Sequence, residues 1–316
     1  MGFIDPKTDF GFQRIFASPN SRPILKSLLN ALIYDGQLRI QDLEILDPYQ
    51  QPEIPDFKLS ILDVKAQLDD GSTVIIEMQV AKVEAFIQRI LYNTTKAYAS
   101  QLGRGKYYWD LRPVIAVTIT DFILFDDPEV DQALPISRFS ILNEETHALC
   151  TSQLRWIFVE LPKFGKDLAD LEGLVDRWLF FLQRAGELQQ APPELTSDHD
   201  LQSALDIANE SQLSPAELRF FEAELDRLRV MQGQIFSARD EGLAEGLAEG
   251  LAEGLAEGRA EGLAAGRAEG ITLGAKQREL EIARELLKTL DPETVSRVTG
   301  LSIEQVQDLA QATDDP

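Results

Sequence analysis

Apolar and polar positions alternate with a period of two along Leu62-Asp63-Val64-Lys65-Ala66-Gln67-Leu68 and again along Thr73–Gln79, with Asp69-Asp70-Gly71 between them. That period is the mark of strands whose successive side chains point to opposite faces. The two runs, Ser60–Leu68 and Ser72–Ala81, therefore predict a β-hairpin. A three-residue loop with Gly71 left-handed pairs Leu68 with Ser72. Leu62, Val64, Ala66, Ile76 and Met78 then share one face, and Asp63, Lys65, Glu77 and Gln79 the other, with Asp63 directly across from Glu77. A two-residue Asp70-Gly71 turn is the alternative. It pairs Asp63 with Met78 and puts Glu77 on the opposite face from Asp63. The alternation within each run favours the longer loop.

Other elements follow from the same patterning. A helix hairpin begins near Asp9, breaks at Ser18–Ser21 and resumes at Leu25–Ile33, and a strand fits Leu43–Leu46 before a loop carrying Pro48, Pro52 and Pro55. Val83–Leu102 has apolar residues at helical spacing and is stopped by Gly103 and Gly105. Val114–Thr120 reads as a buried strand, parallel after the crossover helix, and further strands fit Ser137–Leu142 and Arg155–Glu160. The order of elements predicts a mixed α/β sandwich. Helices follow at about residues 168–189, 199–209 and 215–233, then a Gly-Leu-Ala-Glu repeat, then helices near 277–290, 292–298 and 302–311. Ser302-Ile-Glu-Gln305 forms a capping box. The expected organisation is 1–165 as the α/β domain, 166–236 as a helical subdomain, 237–275 as a repeat spacer and 276–316 as a small helical end.

In the repeat, a four-residue unit overshoots each helical turn by about 40°, so its leucines spiral instead of forming a face. Nine glycines between 242 and 274 each cost about 1 kcal/mol of helix stability relative to Ala. A semi-flexible spacer is expected there, with self-association as the alternative. The last helix carries Glu304 and Asp308 and no Lys or Arg, which argues against a DNA-reading helix-turn-helix.

Two carboxylates opposed at about 5 Å repel, and a divalent cation between them removes the conflict. Hard cations such as Mg²⁺ choose carboxylate oxygens and keep waters that can react. Asp63 and Glu77 thus suggest a metal site; the competing reading is the polar side of a half-exposed hairpin.

Charge bounds the partners. The chain carries a net −23 over 316 residues, with 16 Lys+Arg against 22 Asp+Glu in residues 1–165 and 14 against 31 in residues 166–316. The acidity is therefore concentrated in the tail. Within the first part Arg89, Lys96, Arg104, Lys106 and Arg112 lie among Tyr92, Tyr98, Tyr107, Tyr108 and Trp109. Such a mixture can touch phosphate and stack on bases, or it is a helix surface whose rings pack inward. Cys150 is the single cysteine, which excludes an internal disulfide or a cysteine metal cluster. No apolar run is long enough to span a bilayer, and the N-terminus has no basic-then-apolar leader. A cytoplasmic protein without membrane partners is expected.

The run Ile61-Leu-Asp63-Val-Lys-Ala through Ile75-Ile-Glu77-Met-Gln79 resembles the core of the Rpn family (recombination-promoting nuclease / putative transposase), a branch of the PD-(D/E)XK nucleases. So do the opening Asp5-Pro-Lys7-Thr-Asp9-Phe-Gly-Phe-Gln-Arg-Ile-Phe16, the stretch from Arg89-Ile-Leu-Tyr92 to Pro113–Phe122, and Phe158-Val-Glu160-Leu-Pro-Lys163-Phe. The resemblance covers about residues 3–165. It implies a restriction-endonuclease-like mixed sheet flanked by helices, here followed by an all-α C-terminal region, and Mg²⁺-dependent cleavage of DNA, with Mn²⁺ able to substitute. It makes Asp63 and Glu77 the metal-binding pair and Asp9 an additional acidic residue at the metal. Gln79 stands where many relatives outside this branch place a lysine, a departure with content, since an amide positions water but brings no charge. Lys65, on the same face, is the candidate to supply that cation. Arg89, Lys96, Arg104 and Lys106 are the expected DNA contacts. The rival expectation is a catalytically inactive assembly protein that keeps the fold; RNA as substrate stays open, and the helical C-terminal region suggests a homo-oligomer.

Overall fold

The computed structural model describes residues 2–50, 60–103, 105–126 and 134–311. The helix hairpin is α1 (Asp9–Phe16) and α2 (Arg22–Tyr34). The strand β1 (Leu43–Leu46) follows, then the short β2 (Tyr49–Gln50) and β3 (Ser60–Ile61), which pair with each other alone. The predicted hairpin is β4 (Val64–Leu68) and β5 (Thr73–Gln79), joined through α3 (Phe86–Ala99) to β6 (Val114–Thr120), β7 (Ile136–Leu142) and β8 (Leu149–Glu160). The six-stranded sheet runs β1-β4-β5-β6-β8-β7. Its centre, β5-β6-β8, is parallel, and its flanks are antiparallel.

Both faces of the central strands are covered, which is why β6 is buried at every position, Thr118 and Thr120 included, and opens on the apolar run Val114–Val117. One face meets α1 and α2 together with α4 (Gly173–Arg184), α5 (Pro193–Thr196) and α6 (His199–Ala208). Phe12, Phe16, Leu28, Trp178 and Leu205 belong to this one cluster with Val74, Ile76, Val117 and Ile157. The buried Trp178 indole donates to Ser27 Oγ at 3.1 Å, as a buried N–H requires. The other face meets α3, where Phe86, Ile90 and Ala97 pack on Ile75, Val114, Ala116 and Phe158.

Two expectations change. The chain divides into compact units at Met1–Gln232 and Gly233–Pro316, so no boundary falls at 165. The helices after that point complete the core of the first unit. Helix, repeat and following helix are a single helix, α7 (Pro215–Leu287), with Leu243, Leu247, Leu251 and Leu255 exposed as the 40° drift requires. In the second unit α8 (Pro292–Thr299) and α9 (Ile303–Gln311) enclose Ala283, Val295, Leu301 and Val306. The capping box is present, Gln305 N–H donating to Ser302 Oγ at 3.3 Å and Ser302 N–H to Gln305 Oε1 at 3.1 Å.

A further correction concerns the first hairpin strand. It is not one strand from Ser60 to Leu68. A bend at Asp63 separates β3 from β4, and Leu62 packs in the α3-side cluster while Val64, Ala66 and Leu68 pack on the other face. The bend breaks the alternation at the residue the chemistry singles out.

Candidate metal centre

The three-residue loop and its register hold. Gly71 has φ +85°, Leu68 N–H donates to Ser72 O at 2.8 Å, and Val64 pairs with Ile76. The ladder ends at that pair, one step short of Asp63, whose next partner in this register is Glu77, and the two carboxylates are near enough for the charge of Glu77 to act on Asp63. Because the chain bends there, Asp63 turns a carboxylate oxygen to the neighbouring strand, and its Oδ2 accepts from Met78 N–H at 2.7 Å.

Glu77 is 8% exposed and points to the face under α3. Its Oε1 accepts from Asn93 Nδ2 at 2.7 Å, and its Oε2 lies 3.6 Å from Arg89 Nη2. Both partners lie on α3 four residues apart, one turn of the same helix face. That face is pinned to the sheet by Phe86 and Ile90 and by a Trp156 Nε1–H bond to Thr94 Oγ1 at 3.2 Å.

The electrostatics follow from this burial. Desolvation pushes the Asp63 carboxyl from an ordinary 3.8 to about 7; the Met78 N–H opposes the rise, and the charges of Glu77 and Asp9 add to it. Glu77 is also raised by desolvation, against the Asn93 bond and the Arg89 charge. Two neighbouring carboxylates are thus held where their negative charges are costly. Their oxygens are the donors a hard divalent cation selects, and such a cation would lift the penalty on both.

The other expected residues are less closely gathered. Asp9 is the first residue of α1, whose N-cap is Thr8, with its side chain accepting from Gly11 N–H at 2.9 Å. Asp9 stands near enough to raise Asp63. Yet among the described residues no three His, Cys, Asp or Glu side chains are grouped closely enough to hold a metal ion, so Asp9 does not close around the pair. Glu224 of α7 accepts from the Asp9 N–H at 2.7 Å and so occupies the amine end of the helix. Gln79 donates through Nε2 to Met78 O at 2.9 Å. Lys65 is half-buried between Leu46 and Ile75 and makes no ion pair among the described residues.

The basic group is strung out. Arg89 is at the carboxylates, Lys96 lies seven residues along α3 with Nζ 5.8 Å from the Tyr92 ring centroid, and Lys106 is exposed in the exit loop. Arg104 lies outside the described residues. Tyr107, Tyr108 and Trp109 do not pack inward: they are exposed, the rings of Tyr107 and Trp109 stacked at 4.4 Å. The sequence reading missed Asn93, the contact of Arg89 with Glu77, and Glu224. For the first two the four-residue spacing on α3 was a signal; Glu224, 215 residues from Asp9, left none.

A family model for the PD-(D/E)XK nuclease family transposase matches residues 6–237. The chain belongs to that family. The match runs well past residue 165 and takes in the helices that complete the first unit's core. No curated protein and no solved structure matches the chain. A PD-(D/E)XK identity supports a nuclease-like function, and nucleases of this class use divalent metal ions. Among the described residues of this family member no helix is long and apolar enough to cross a membrane.

Proposed function

We propose that the chain is a metal-dependent DNA endonuclease whose metal is held by Asp63 and Glu77. The observation that carries this reading is the carboxylate pair itself, Glu77 buried and Asp63 half-buried, both members pushed toward protonation at a place where a structural sheet gains nothing from them. A bound Mg²⁺ or Mn²⁺ would neutralise charge on the scissile phosphate and lower the pKa of a coordinated water.

The protein groups have distinct tasks. Asn93 Nδ2 and Met78 N–H each orient one carboxylate oxygen, leaving the others to face the ion. The Gln79 amide, once it leaves the Met78 carbonyl, positions water or a phosphate oxygen, and Lys65 adds positive charge along the same face. Lys96 and Lys106, with Arg104, contact the DNA backbone, and the exposed Tyr107–Trp109 stack offers its rings to the bases. The acidic tail contributes no phosphate contacts, and its helices serve self-association. A role in recombination or mobile DNA fits the family.

The rival, an inactive assembly protein, draws on Gln79, which carries no charge and is bonded to a backbone carbonyl. One experiment separates the two. Purified protein is incubated with supercoiled plasmid in Mg²⁺ or Mn²⁺, beside Asp63→Ala and an EDTA control. The nuclease reading expects nicking that needs metal and disappears in the variant. If wild type neither cleaves nor gains thermal stability from metal over Asp63→Ala, the assembly reading replaces it.

A further inference from the structure

Gln79 stands where many relatives outside this branch place a lysine, and the sequence nominates Lys65 in its stead. The structure puts a different cation at the carboxylates. Among the described residues Arg89 makes the one ion pair to either carboxylate, with Nη2 3.6 Å from Glu77 Oε2. Its place is fixed by α3. Ala85 starts the helix in a left-handed conformation, φ +57°, Phe86 and Ile90 anchor the first turns in the sheet, and the guanidinium carbon sits 5.4 Å from the Phe86 ring centroid.

The contact with Glu77 is a charge contact, not a hydrogen bond. At 3.6 Å it lies beyond hydrogen-bond length, whereas Asn93 bonds the same carboxylate at 2.7 Å. No hydrogen bond commits the Arg89 side-chain N–H groups among the described residues, and the side chain is 41% exposed. A planar fork of five donors, supported on a ring and open to solvent beside a carboxylate pair, is suited to grip phosphate oxygens.

We propose that Arg89 is the cationic catalytic residue of this nuclease: counter-ion to Glu77 in the metal-free protein, and ligand of the scissile phosphate once a divalent cation takes Glu77. The proposal rests on the nuclease reading and deepens it. In the hydrolysis a water oxygen bonds to phosphorus and the bond from phosphorus to one sugar oxygen breaks. One water proton ends on the leaving sugar hydroxyl and the other on the new phosphate monoester. Negative charge accumulates on the phosphoryl oxygens on the way, and a guanidinium aimed at them stabilises that charge without taking up or giving a proton. An arginine supplies what an amide at position 79 lacks, and from the helix instead of the strand.

The partner exchange gives a signature that a structural role does not. Full-length wild type, Arg89→Gln and Arg89→Lys are compared by calorimetric titration with Mn²⁺ in the absence of DNA, and by single-turnover plasmid cleavage in Mg²⁺. Arg89→Gln is expected to bind Mn²⁺ as tightly as wild type or several-fold more tightly, because Glu77 loses its competing cation. Its cleavage is expected to fall about 10²–10³-fold, with Arg89→Lys between the two. Cleavage by Arg89→Gln within a few-fold of wild type overturns the assignment. So does a joint loss of Mn²⁺ binding and cleavage, which marks Arg89 as a structural support. A wild type that binds no Mn²⁺ and cuts no DNA refutes the nuclease reading, and this proposal with it.

Discussion

Replacing Asp63 with Asn makes the metal-free protein more stable at alkaline pH, by an amount the site geometry sets. The Asn amide oxygen can keep the bond from Met78 N–H, 2.7 Å in the parent, while the charge is gone. In wild type the folded carboxyl titrates at about 7 against an ordinary 3.8. Between those values the folded state holds a proton that the unfolded chain releases, so stability falls as pH rises and levels off above 7. The Asp63→Asn variant lacks this dependence. From pH 5 to the plateau the span is about two pH units, at about 1.4 kcal/mol each. Asp63 is half-buried, and water reaching it screens part of this, leaving about 2 kcal/mol. For a unit of this size that is about 4–8 °C in Tm. The assay is calorimetry of both proteins in EDTA from pH 5 to 8.5. The Tm of Asp63→Asn relative to wild type should climb through that range, and added Mn²⁺ should stabilise only wild type. A difference that stays flat with pH, or that shrinks as pH rises, refutes the account of the pair as charges held against their solvation.

Three further substitutions test the scaffold around the pair. Lys163→Met strips the ammonium from the fully buried Glu160, whose Oε2 it contacts at 2.8 Å while Oε1 accepts from Leu124 and Phe125 N–H; urea unfolding should show a loss of about 3–5 kcal/mol, and an unchanged midpoint would discount the pair. Asn93→Ala leaves Glu77 Oε1 without its donor and should cost about 2 kcal/mol at pH 8. That cost should shrink as pH is lowered into the range where the raised Glu77 carboxyl takes up its proton, because the bond to the ionised carboxylate is the stronger; a loss that stays constant as pH falls would contradict it. Gly71→Ala forces a Cβ onto a φ of +85° and should cost about 1–2 kcal/mol. Space is not the obstacle, since the nearest atom would be an Arg112 side-chain carbon at 3.5 Å, so metal binding should survive; its loss would mean that the hairpin register had moved.

The sequence by itself determined the local features. Alternation along 64–68 and 73–79 placed each side chain on a face, Gly71 set the loop length, and the two together determined the register that faces Asp63 with Glu77. The apolar run Val114–Val117 of β6, with Ile119 just beyond, announced a strand covered on both sides, and Ser302–Gln305 announced a helix start. Each is encoded within a few residues, where backbone sterics and period suffice. Tertiary structure decided what those residues meet. The bend at Asp63, which sends Leu62 to the opposite face from Val64, follows from packing under α3 and from the Met78 N–H, and alternation alone cannot express it. Asn93 and Arg89 reach Glu77 only because the crossover helix docks on β6, and Glu224 closes the start of α1 across 215 residues. Helices α4 and α6 join the sheet's core because the face opposite α3 needs apolar cover, which a division at residue 165 would leave exposed. Contacts between elements depend on how whole faces pack, and the environment of the carboxylates is made of such contacts.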